Sequence, residues 1–177
     1  MKKTIAISLI ILAFLIIYFL QANFFSWFNI AGISPNLFVI LILFISLYMG
    51  LKVSIPLGII FGFFLDIIIG KQIGVSAIMF GIIAFIGGYF DKNFSKDSRI
   101  TIMLMIIGST AIYEIGCYIF NFIGQSSYIE ILPFIKILVI EIIYNTIITI
   151  IIYTWIQKLG YSLEEIFKGQ KVLTKYF

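Results

Sequence analysis

Apolar residues fall into six long runs along this chain, and the polar positions sit almost entirely between them. The runs cover 4–22, 35–50, 53–69, 73–90, 100–123 and 132–155. Each approaches the ~20 residues that carry an α-helix across a hydrocarbon core ~30 Å thick. Lipid offers backbone groups no water to bond with, so such runs cross as helices that satisfy themselves. The pattern predicts an all-α polytopic bundle of six transmembrane helices, one integral membrane domain over 1–177 with a polar tail at 156–177.

The punctuation sets the boundaries. The first run follows Lys2 and Lys3 and exceeds the ~7–15 apolar residues of a signal peptide. Leu20-Gln21-Ala22 also lacks a small residue where cleavage needs one, so the run reads as a retained helix. Phe24, Phe25, Trp27 and Phe28 in 23–34 suit the headgroup layer. Ser34 and Pro35 then open the second helix as N-cap and first helical residue. Short turns after the second and third helices force helices two to four into one antiparallel block. In the tail, Leu163, Ile166 and Phe167 alternate with Glu164, Glu165, Lys168 and Lys171, which predicts a short amphipathic surface helix.

Charge adds orientation. With the N-terminus inside, ten basic residues lie on the inner side and only Lys71 and Lys136 fall outside. Basic loops stay cytoplasmic, so an even helix number with both termini in the cytoplasm is expected. The net charge of +4 is scattered over several loops, which leaves no patch for nucleic acid.

Composition removes function classes. With 62% hydrophobic and 11% charged residues the chain cannot be a soluble domain, since soluble proteins are roughly a quarter charged. The absence of His excludes imidazole-based metal sites, nucleophile pairs and proton relays. The single cysteine, Cys117, forbids an internal disulfide and reads as a buried structural thiol. No phosphate loop, nucleophile elbow or zinc helix occurs, so no catalytic residue, cofactor or metal is expected.

What remains is packing chemistry. Gly58, Gly62, Asp66 and Gly70 recur every fourth position of the third helix, and Gly74, Ala77, Gly81, Ala84 and Gly88 form a seam on the fourth. In lipid, small residues at this spacing let helix backbones approach closely. Such faces serve either packing of the third helix on the fourth or a groove for a partner. Asp66, Glu114 and Glu141 lie at membrane depth, where a carboxylate needs a partner or a wet cavity. For Asp66, Lys71 is the near partner across the turn. Glu141, Asn145 and Thr149 share one face of the sixth helix, and Glu114 and Asn121 share one of the fifth with Tyr118. Those faces read as interhelical hydrogen bonding, with a wet small-molecule pocket as the alternative.

Two motifs carry a resemblance. Ser34-Pro35-Asn36-Leu37 opens a helix, and Gly58-x-x-x-Gly62-x-x-Leu65-Asp66-x-x-x-Gly70-x-x-x-Gly74 follows. Together they resemble the bacterial rod shape-determining MreD family, with Asn36 standing where that family carries Asp. The resemblance implies a non-enzymatic subunit of the cell-elongation machinery in the bacterial cytoplasmic membrane. Its partners would be the bitopic protein MreC and, through it, the MreB cytoskeleton and the RodA/penicillin-binding synthase pair. A second copy of the chain is another candidate occupant of the same faces. Pro35, Asn36, Gly58, Gly62, Asp66, Gly70 and Gly74 would then serve partner binding or helix packing. The architecture is also similar to the substrate-binding S components of energy-coupling-factor vitamin transporters, the alternative function. Their small-residue docking face is missing from the first helix here, where only Ala6, Ser8 and Ala13 are small.

Overall fold

The computed structural model describes residues 2–69, 72–93, 98–125 and 130–169. It is a bundle of six long helices: α1 Lys2–Phe19, α2 Leu37–Met49, α3 Leu51–Ile69, α4 Val75–Asn93, α5 Arg99–Gln125 and α6 Ile131–Lys168. α1 continues through a π-helical turn, Leu20–Phe24, into a last turn, Phe25–Trp27. Four stretches are long and apolar enough to cross a membrane: Lys2–Trp27, Leu51–Ile69, Arg99–Gly124 and Ile131–Lys168. Leu37–Met49 and Val75–Asp91 are shorter apolar helices. The protein is an all-α membrane helix bundle.

α2 is the hub. Its 13 residues span roughly 20 Å, short of a hydrocarbon core of ~30 Å. All of them except Leu41 are buried, and the helix touches each of the other five. A helix that is apolar on every side belongs in a core. The run at 35–50 predicts a membrane-crossing helix opening at Pro35; the structure starts it at Leu37 and buries it among its neighbours. Before it, Ile30 and Ile33 exchange backbone hydrogen bonds of 2.9 and 3.0 Å around a tight turn, and Ser34–Asn36 lead inward. Non-helical backbone inside a membrane bundle is tolerated only where its polar groups are satisfied, and here protein side chains take the Asn36 and Leu37 N–H groups.

α3 and α4 lie against each other at backbone distance. A Cβ on Gly58 would sit 2.9 Å from the Phe80 carbonyl oxygen, and one on Gly62 would collide with the backbone of Ser76 and Ala77. The small-residue face of α3 is therefore closed by α4 at Gly58 and Gly62, which is the packing alternative for that stripe. α1, in contrast, is held by a narrow strip. Ala6, Ile10 and Phe14 are its buried residues, and the Phe14 ring packs on Phe61 at 4.5 Å and Phe38 at 5.1 Å.

The expected tail is not separate. α6 runs on past Trp155 to Lys168, 38 residues or roughly 57 Å, and its far end folds into the bundle's contacts. Gly160 lies directly on the Tyr48 ring, and Tyr48 meets Tyr161 edge-on at 5.7 Å. The Lys168 ammonium donates to the Leu47 carbonyl at 3.1 Å and pairs with Asp91 at 2.5 Å and Glu164 at 3.3 Å. A cation at the last carbonyls of α2 satisfies groups that a helix end leaves open. Lys3 lies 6.0 Å over the Phe167 ring, so both described chain ends meet at one end of the bundle.

Candidate functional site: a polar cavity among the helix starts

At the opposite end, α2 begins at depth, and three polar side chains make that possible. Asn36 is its N-cap, accepting from the Val39 N–H at 3.3 Å. The Asn36 N–H donates to Asn145 Oδ1 at 2.8 Å, and the Leu37 N–H donates to Gln21 Oε1 at 3.0 Å. Asn145, fully buried, turns its amide nitrogen to Thr110 Oγ1 at 3.0 Å. One side chain of α6 thus ties the start of α2 to α5. Each bond satisfies a donor that hydrocarbon would leave unpaired.

Asp66 does the same for α4. Its carboxylate, 2% exposed, accepts from the N–H of Gly74 at 2.8 Å and of Ser76 at 3.1 Å. An anion at a helix N-terminus meets oriented N–H groups and the positive end of the helix dipole. Gly74 has φ +101°, a conformation that suits glycine. The Ser76 hydroxyl shares a hydrogen bond of 3.3 Å with Tyr113, which carries the polar chain on to α5.

Between these helix starts, the later half of α5 and the first turns of α6 lies a cavity of about 580 Å³. Pro35 and Asn36 line it, as do Asp66 and Ser76, Tyr113, Glu114, Cys117, Tyr118 and Asn121 from α5, and Phe134 and Glu141 from α6. Glu141 stands beside Glu114, Asn36 and Asn145. Glu141 is 6% exposed, and among the described residues its Oε1 has no hydrogen-bond partner. The Tyr118 hydroxyl is buried in the same state, with its ring 4.3 Å from that of Phe134.

The two sequence-predicted polar faces on the last helices are brought together: Asn145 bonds across to Thr110, and Glu114 and Glu141 both line the cavity. Thr149 differs, because its hydroxyl bonds the Asn145 carbonyl of its own helix at 2.7 Å. Cys117, expected as a buried thiol, is half-buried and lines the cavity. Gly70 and Lys71, including the tether expected between Lys71 and Asp66, lie outside the described residues. Sequence reasoning passed over Thr110 although it stands four positions before Glu114 on the same helical face, a legible signal. Gln21 had none: it sits at the end of an apolar run, and its task depends on where α2 begins.

Neither a curated protein nor a solved structure matches the chain. A family model does, over residues 1–162, and its description is the rod shape-determining protein MreD. That match spans the bundle from α1 into the far end of α6, taking in the capped starts of α2 and α4 and the cavity between them, and so the chain belongs to the MreD family of rod shape-determining proteins.

Proposed function

We propose that the protein is a non-catalytic scaffold subunit of the cell-elongation complex, crossing the bacterial cytoplasmic membrane six times with both termini in the cytoplasm. It holds the membrane helix of an MreC-like bitopic protein and so fixes that partner relative to peptidoglycan synthesis. MreB and the RodA/penicillin-binding synthase pair are reached through that partner.

The observation that carries this reading is a groove on the lipid side of the α3–α4 pair. Ile55 and Ile59 of α3 and Ala77, Gly81 and Phe85 of α4 line about 420 Å³ of apolar space. Lipid tails are as apolar as this groove, so shape rather than hydrophobicity selects an occupant. A row of small residues between bulky ridges fits the ridge of one more helix, which needs close backbone approach and no polar group. Exposed Ile78 and Ile82 flank the groove.

Cysteine crosslinking tests it. With Cys117 replaced by Ser, cysteines at Ile78 and Ile82 should form disulfides with cysteines placed along the partner's membrane helix, whereas Ile100 and Ile151, exposed elsewhere, should not. A complex that forms yet crosslinks at none of the groove positions would remove the groove from the interface. Crosslinks between two copies of this chain would make the occupant a homodimer.

The cavity favours a second reading, a substrate-binding S component, because a volume of about 580 Å³ lies within the ~300–1,000 Å³ of ligand pockets. Purification with a retained vitamin-like molecule and no single-span partner would select it.

A further inference from the structure

The helices of the bundle offer lipid apolar belts of different height. Exposed large apolar residues run from Ile5 to Trp27 along α1 and its continuation, and from Ile100 to Ile123 along α5, roughly 33 and 35 Å at 1.5 Å per residue. On α3 they run from Ile59 to Ile69 and on α4 from Ile78 to Tyr89, roughly 15 and 17 Å. Counting every uncharged residue extends these belts to 53–69 and 75–90, roughly 26 and 24 Å, still short of a hydrocarbon core of ~30 Å. α2 is shorter again, but it is buried and meets protein instead of lipid. α4 differs, because Ile78, Ile82, Phe85 and Tyr89 form one exposed stripe.

A span longer than the hydrocarbon tilts to fit, whereas a shorter one cannot stretch, and the bilayer thins to meet it. Neither end of the α3–α4 pair can be drawn inward cheaply. Asp91 closes the apolar part of α4 and pairs with Lys168, and Gly74 and Ser76 at the other end are held by Asp66. α3 begins beside the exposed Lys52, and its sequence turns to Gly70-Lys71 after Ile69. The pair cannot lengthen by sliding either, since backbone contact at Gly58 and Gly62 fixes its register.

We propose that the α3–α4 face thins the bilayer beside it and gathers phospholipids with short acyl chains, while the α5 side sits in lipid of ordinary thickness. Thinning of this kind requires that α3 and α4 cross the membrane, as proposed above, and needs no partner in the groove.

Tryptophan fluorescence reads the lipid at each face separately. In the full chain, with the two native tryptophans removed by Trp27→Phe and Trp155→Phe, Ile82→Trp reports on α4 and Ile115→Trp on α5, both being exposed positions well inside their helices. Each variant is placed in vesicles that mix myristoleoyl and erucoyl phosphatidylcholine, with bromine on the chains of one lipid or the other, and the quenching by each is compared. At Ile82 the short-chain lipid should quench about twofold more strongly, since every ångström of mismatch carries a cost, and at Ile115 the ratio should stay near unity. Lys52→Leu, which carries the uncharged part of α3 back to Leu51, should narrow the preference at Ile82. The same preference at both positions, a long-chain preference at Ile82, or a short-chain preference widened by Lys52→Leu would overturn the proposal. Quenching by neither lipid at Ile82 would take α4 out of the lipid and overturn its membrane crossing as well.

Discussion

The α3–α4 seam and the cavity are built from the same kinds of residue, small or polar ones set every three or four positions in apolar helices, and they end in opposite conditions. In the seam, Gly58 and Gly62 remove side chains until backbones touch, and nothing else fits. Around the cavity, Asn36, Asn145 and Asp66 spend their polar atoms on helix starts, and the helices are held apart. The difference teaches that spacing alone does not distinguish closure from enclosure. What decides is the residue that meets the neighbour: a glycine lets its backbone approach, whereas Asp66 or Asn145 accepts from the N–H groups that a helix start leaves open.

The comparison breaks most violently at the seam. Gly62→Leu should abolish the folded chain, since a side chain there meets the backbone of Ser76 and Ala77, and the penalty exceeds the ~1–3 kcal/mol of ordinary overpacking. Monodisperse gel filtration of that variant with unchanged protease resistance would show that the seam can open. Next is Asp66→Ala, which orphans the N–H groups of Gly74 and Ser76 at about 1–3 kcal/mol each. Asp66→Asn, keeping an acceptor, should recover part of the loss in reversible unfolding in bicelles. Asn145→Leu should cost about 1–3 kcal/mol by the same measurement, because it leaves the Asn36 N–H without its acceptor. Thr110→Val should be mildest, near the ~0.6–1.7 kcal/mol measured for hydrogen bonds between membrane helices. A double-mutant cycle of Thr110→Val with Asn145→Leu sharpens the contrast further: the two losses should fall short of additive, whereas Gly58→Ala with Thr110→Val should add.

Much of this was readable in the chain itself. Hydropathy alone placed six helices, because lipid enforces helix on any long apolar run, and the Gly58–Gly62 periodicity marked a backbone contact. The depth of α2 was not readable. A run of 13 apolar residues looks the same in lipid as in a protein core, and only the five neighbours around it decide. Asp66 was visible as a buried acid, yet its engagement with Gly74 and Ser76 follows from how α3 and α4 turn, which spacing does not specify. The far part of α6 read as a separate surface helix because its polarity rises, while the contacts of Gly160 and Lys168 with the end of α2 keep it continuous.

The bond from Asn36 to Asn145 joins residues 109 positions apart in the chain. During synthesis the hub helix therefore leaves the ribosome long before the side chain that completes its first turn exists. Until the sixth helix is released, a nascent chain must keep that turn wet or sheltered by the insertion machinery. The last segment made is thus the one that commits the second to its final depth.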